Sequence, residues 1–151
     1  NRLMTRVSRL LRSRHDQPTA PPVLNREFIS KYFLGGTGLE VGALHNPMPV
    51  APGTKVRYVD RMSVEDLRKH YPELASLNLT PLDVIDNGET LSTIADASQD
   101  FVIANHFLEH CEDPIGTVKT FHRVLRPNGV LYLAVPEKTS TFDRDRPHQW
   151  A

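Results

Sequence analysis

Residues 130–135 read Val-Leu-Tyr-Leu-Ala-Val, an unbroken apolar run with hydrophobic side chains at both odd and even positions. A strand wetted on one side alternates apolar with polar residues. A run apolar on both parities fits a strand covered on both faces, the situation of strands in parallel sheets. Four more short apolar runs precede it: Leu39–Val41, Val56–Val59, Leu82–Ile85 and Phe101–Ala104. Helix signals with defined ends lie between them. Ser63-Val64-Glu65-Asp66 resembles a capping box, with Leu67 facing inward and Pro72 as a limit. Asp113 then Pro114 supplies an N-cap and a proline at the first helical position, and Ile115, Val118, His122 and Leu125 follow at helical spacing until Pro127-Asn128-Gly129. Strands alternating with helices predict an α/β fold built on a parallel sheet.

Upstream, Asn25 is placed to cap a short helix through Lys31–Tyr32 that Gly35-Gly36 ends. Residues 15–24 carry three prolines and read as a linker. Residues 1–14 read as an amphipathic basic helix with Leu3, Met4, Val7, Leu10 and Leu11 on one face, and hold five arginines and no acid. The expected organisation is therefore a basic helix and linker over 1–24 and a single α/β domain over 25–151.

The whole chain of 151 residues is neutral, with 18 basic and 18 acidic side chains, so the part beyond residue 14 is net acidic. Neither charge nor composition calls for a nucleic-acid partner. No apolar run approaches the roughly 20 residues that cross a bilayer. Cys111 stands alone, which excludes an intrachain disulfide and makes a reducing cytoplasm the expected location.

In an open parallel sheet, ligands bind beyond the carboxyl ends of the strands. After the first strand comes Gly38-Leu39-Glu40-Val41-Gly42-Ala43-Leu44-His45, where Gly42 lets a ligand approach the backbone. Asp60, twenty residues after Glu40, ends the second strand, and an acid there can accept both hydrogen bonds of a ribose diol. A turn glycine and a helix-capping aspartate are the plainer readings of each residue alone; the spacing joins them.

From Leu39 to Pro136 the chain resembles the class I S-adenosylmethionine-dependent methyltransferases, in particular the type 11 branch. Leu39-Glu40-Val41-Gly42-Ala43 is similar to the family's first motif and Tyr58-Val59-Asp60 to its second. Ser98 to His110 is similar to its fourth strand and Leu-Glu-His segment, and Arg123 to Leu131 to its next helix end, turn and strand. The resemblance implies a Rossmann-like sheet in the order 3-2-1-4-5, with helices on both faces and the closing strands 6 and 7 missing. It implies S-adenosylmethionine as cofactor and transfer of methyl to oxygen or nitrogen of a small-molecule acceptor. It also places Glu40, Gly42 and Ala43 at the methionine end, Asp60 and Arg61 at the ribose, Asp86 and Asn87 near the adenine, and Asn105 and His106 beside the cofactor.

Leu44 and Asn46 stand where the family's first motif usually has further glycines, and Pro47, Pro49 and Pro52 forbid a helix of ordinary length after it. The crossover to the second strand is therefore expected to be loop, which weighs against a nicotinamide enzyme. His106 and His148 are candidate general bases, although a good sulfonium leaving group makes positioning the main expected source of rate. His106 and His110 are four apart, but no third metal ligand sits at a recognisable spacing, so no metal site is expected. Asp143 to Arg146 reads as a solvated charged loop. An alternative reading is a catalytically inactive binding or scaffold domain; a third, resting on residues 1–14, is an adaptor for acidic surfaces. A bare fifth strand this apolar would promote aggregation, so the tail, a partner or a second copy is expected to cover its edge.

Overall fold

A computed structural model describes residues 24–141 and 144–145. The basic helix expected over 1–14, most of the linker, His148 and Trp150 lie outside the described residues. Eight principal elements run in the order α1 (Arg26–Phe33), β1 (Thr37–Val41), β2 (Lys55–Asp60), α2 (Val64–His70), β3 (Val84–Ile85), β4 (Gln99–Asn105), α3 (Pro114–Val124) and β5 (Leu125–Ala134). The five strands form one sheet, ordered β3-β2-β1-β4-β5, with every pair parallel. This is the Rossmann-like arrangement.

The caps are where the sequence puts them. Asn25 accepts from Phe28 N at α1, Ser63 from Asp66 N at α2 and Asp113 from Gly116 N at α3. Each satisfies one backbone donor that a first helical turn leaves open. Proline at the start of α3 has no N–H to lose there.

β4 lies beside the middle strand β1, and its two parities feed two cores. Val102 and Ala104 join Leu39, Val41, Val59, Leu91, Ile94, Phe121 and Val124 on one face, which α3 covers. Phe101 and Ile103 join Leu34 and Met48 on the other, covered by the end of α1 and the β1–β2 loop. A third cluster, Leu67, Leu74 and Leu79, seats α2 and the turn after it.

Two expectations need correction. The apolar stripe of α3 is not Ile115, Val118, His122 and Leu125: Thr117, Phe121 and Val124 are the buried positions, while Ile115 is 68% exposed. Counting from Ile115 follows the apolar residues but starts a turn off the face that Asp113 and Pro114 orient. The helix also stops at Val124 rather than at Pro127, because Leu125 already pairs with Gln99 at the start of β5. Asn128, at φ +66°, then makes the irregular turn that realigns β5 with Phe101. β5 itself is only half-buried along Val130–Tyr132, with Leu133 exposed. Among the described residues no strand pairs with its outer edge. Its two-sided apolar pattern thus sits on an edge strand that the described residues do not fully enclose.

Replacing Phe121, wholly buried and set against the Phe107 ring with centroids 6.3 Å apart, tests this face directly. Phe121→Ala is expected to cost about 3–5 kcal/mol in urea unfolding, and Ile115→Ala under about 0.5 kcal/mol. Similar losses in both would contradict the orientation of α3.

Candidate functional site

Parallel strands in this order bring the ends of β3, β2, β1 and β4 side by side along one edge of the sheet. At the usual strand spacing, that row runs about 14 Å from Asp86 to Asn105. Backbone bonds stitch it together: Asp86 N donates to Asp60 O at 3.0 Å and Gly42 N to Val59 O at 2.9 Å. The residues singled out from sequence therefore do converge on one edge.

At the centre, Gly42 follows β1 with φ +67°, in the left-handed region that favours glycine. A Cβ built there would meet Phe107 Cδ2 at 3.7 Å, an ordinary van der Waals contact, so a small side chain would touch the Phe107 ring without overlapping it. Gly88, in the β3 loop, is tighter. A Cβ on it would fall 2.5 Å from Val41 Cγ1 and 2.6 Å from Phe107 Cζ, so only glycine admits the Phe107 ring. Phe107 thus packs between the β1 and β3 loops, a role that the sequence reading did not assign.

Glu40 is 1% exposed. It belongs to the parity of β1 that faces the Met48 and Ile103 core, being registered with Ile103. Both its oxygens accept from Met48 N, at 3.0 and 2.9 Å, and Asn105 Nδ2 lies 3.4 Å from Oε1. Burial pushes its pKa up, against the pull of the Met48 N–H, Asn105 and the more distant Arg26 charge. Glu40 is thus an anchor for the loop after β1. That loop, 42–54, contains no helix, as its prolines required. Arg26 Nε and Nη2 meet Met48 Sδ and Asn46 O, Ser30 Oγ donates to Pro49 O, and Thr80 N donates to Leu44 O. Ala43 is buried at its start and accepts from Asn46 N.

Asp60 closes β2 half-buried. Its Oδ1 accepts from Arg61 N at 2.7 Å, and burial raises its pKa although the Arg61 and Met62 N–H groups oppose the rise. A carboxylate offers about four acceptor sites, so capacity remains for a diol. The Arg61 guanidinium is turned to the Tyr71 hydroxyl, 2.7 Å away.

Asp86 is committed within its own loop. Oδ1 accepts from Ser92 Oγ, and Oδ2 from Thr93 N and Oγ1. Burial works against its charge, but these bonds outweigh it and hold the pKa low. Asn87 is exposed, and its Oδ1 accepts from Glu89 N. Glu89 in turn accepts from Glu112 N and Asp113 N, tying this loop to the start of α3.

Arg123 received no role from sequence beyond its place in a motif. Its guanidinium donates to Thr90 O, Leu91 O, Ile94 O and Asp96 Oδ1, and so holds the chain between β3 and β4. A cationic residue near a helix C-terminus was the available signal, but its carbonyl partners are set only by the folded loop. His106, one residue past β4, takes φ +49° and is exposed. Non-glycine residues in that region cost about 1–2 kcal/mol. The turn at Leu108–His110 is closed by backbone bonds, including His110 N to Phe107 O. Among the described residues no group of three His, Cys, Asp or Glu side chains is disposed to hold a metal.

Residues 36–133 match a family described as a methyltransferase domain. No curated protein matches the chain. A solved structure of a SAM dependent methyltransferase from Aquifex aeolicus is similar at 20% identity and a TM-score of 0.48, covering 82% of this chain and 67% of that one. The DszA carbon methyltransferase is similar at 16% identity and a TM-score of 0.41, covering 85% of this chain and 32% of that one.

Glu40 provides a stability test with a defined sign. Its raised folded pKa means that its stabilising contribution is full below the unfolded value and is lost as pH rises through the folded value. Wild type should therefore gain stability relative to Glu40→Gln as pH falls through the raised pKa of Glu40 towards that of a free carboxyl. Glu40→Ala, which strands Met48 N–H, should cost about 1–3 kcal/mol at pH 7. Parallel pH profiles for wild type and Glu40→Gln would contradict this account.

Proposed function

The chain belongs to the methyltransferase domain family, in the type 11 branch of the class I S-adenosylmethionine-dependent enzymes, and on that premise we propose that the carboxyl edge from Asp86 to His106 binds the methyl donor. The observation that carries the proposal is Asp60: a half-buried carboxylate at the end of β2, desolvated, accepting from neighbouring backbone N–H groups. Its next strand neighbour, Gly42, carries no Cβ and turns away from β1 at φ +67°. The residues fit the donor's shape, with a diol acceptor, a glycine without a Cβ beside it, and an exposed Asn87 beyond Asp86.

In this assignment Asp60 accepts from the ribose hydroxyls and Gly42 and Ala43 border the methionine end. Asn87 serves the adenine edge, because the oxygens of Asp86 are already in use within its own loop. When bound, S-adenosylmethionine supplies an electrophilic methyl on a cationic sulfur. Asp60, Asp86 and Glu40 give the edge an acidic field that favours such a cation over its neutral product. The acceptor is an oxygen or nitrogen of a small molecule, held in line with the methyl. Orientation of this kind can supply much of a transfer rate.

A scaffold reading has one observation on its side. Loop 42–54 offers no helix N-terminus, the usual donor of N–H groups to an anionic end of a ligand.

Calorimetric titration with S-adenosylhomocysteine tests the donor site, and turnover on an acceptor then separates an enzyme from an inactive binding domain. Wild type is expected to bind saturably, and Asp60→Ala about 10–100-fold more weakly, the effect of losing charge-assisted hydrogen bonds. Affinity should also fall as pH drops through the raised pKa of Asp60, because only the ionised carboxylate accepts from both hydroxyls, and Asp60→Asn should remove that dependence. A folded protein with no binding would support the scaffold.

A further inference from the structure

We propose that His106 takes the acceptor's proton during methyl transfer, and that Glu109 holds its imidazole in the tautomer able to do so. The inference rests on the carboxyl edge being the donor's site and names the acceptor class it serves.

His106 stands directly beyond β4 at φ +49°. Its N–H continues the sheet by donating to Ala134 O at 2.9 Å. The residues on either side are packed into the fold: Asn105 approaches the buried Glu40, and the Phe107 ring lies against Gly42 and Gly88. The His106 side chain between them stays 67% exposed. A left-handed position suits glycine, and histidine is among the few other residues enriched there. A strained residue at the end of a central strand invites a functional explanation.

Glu109 sits one short turn away, its side chain 25% exposed, with Oε1 3.5 Å from His106 Nδ1. A carboxylate beside Nδ1 keeps the proton of the neutral ring there, which leaves the Nε2 lone pair free. Contacts of this length commonly tighten once substrate is bound. Asp60 is assigned to the ribose, and the other carboxylates and the thiol nearest His106 are engaged elsewhere. Glu40 and Asp86 hold loops, Glu89 holds Glu112 N and Asp113 N, and Cys111 Sγ donates to Phe107 O.

The step balances without a further reactant. The acceptor's oxygen or nitrogen bonds the methyl carbon; the carbon–sulfur bond breaks and its electron pair stays on sulfur. The proton of the acceptor's O–H or N–H passes to His106 Nε2, and the Glu109 carboxylate faces the resulting imidazolium before solvent takes the proton. The acceptor class is accordingly a hydroxyl or amine with a proton to lose, not a thioether or tertiary amine.

Nitrogen-15 NMR of histidine-labelled protein tests this without any acceptor. His106→Gly assigns the resonance, and its left-handed φ makes that variant compatible with the fold. At a pH where the ring is neutral, His106 is expected as the Nδ1–H tautomer, Glu109→Ala is expected to lose that preference, and saturating S-adenosylhomocysteine is expected to shift the Nε2 resonance. An Nε2–H tautomer in wild type, no change in Glu109→Ala, or an Nε2 resonance unmoved by bound ligand would overturn the assignment. Calorimetry on the same samples separates the cases. Binding with an unmoved resonance overturns the dyad alone, whereas no binding overturns the donor site and the dyad together.

Discussion

One buried carboxylate carries the organisation of the site. Glu40 lies in the central part of the sheet and holds Met48 N with both oxygens. A loop that replaces a helix loses the internal hydrogen bonds a helix would give its backbone, and those groups must find partners elsewhere. Pro47, Pro49 and Pro52 make that replacement obligatory here. Glu40 from below and α1 from the side, through Arg26 and Ser30, supply the partners. The loop in turn covers the second core through Met48 and Val50. Without the anchor, both the loop beside Gly42 and the cover over Phe101 and Ile103 would lose their reference point.

That anchor is costly. A buried carboxylate lacking a close cationic partner is disfavoured in its charged form, as the raised pKa of Glu40 records. The same trend appears at Asp60, where burial again raises the pKa. Asp86 goes the other way because Ser92 and Thr93 satisfy it. The edge therefore contains acids of two kinds: one satisfied by its own loop, and others held desolvated. Desolvated acids at a ligand edge favour a cation or a pair of hydroxyl donors, and this links the fold's internal strain to the chemistry of the methyl donor.

The sheet, its order and its capped helices were legible because they rest on local signals: short apolar runs, Asn25, Ser63 and Asp113 at helix starts, and a resemblance that fixed topology. The row formed by Gly42, Asp60, Asp86 and Asn105 was legible for the same reason, since strand ends are readable once strands are. What sequence did not show was which partner each polar group takes. Glu40, which the resemblance places at the methionine end, also anchors a loop. Asp86, placed near the adenine, is bound to Ser92 and Thr93. Arg123 ties the chain before β4 by meeting three carbonyls, and carbonyls carry no sequence signature. The stripe of α3 was misread because Ile115 is apolar yet exposed, while buried Thr117 is polar and satisfied by Asp113 O.

The central claim is that the donor lies along the carboxyl edge, over the loop that Glu40 anchors. Hydrogen–deuterium exchange of the chain with and without saturating S-adenosylhomocysteine tests it most directly. The account predicts slowed exchange in four separate segments, 42–50, 60–62, 86–89 and 105–107, with the rest of the sheet unchanged. Protection confined to the opposite end of the sheet, at the groove between Tyr32–Gly35 and Arg126–Val130, would contradict it.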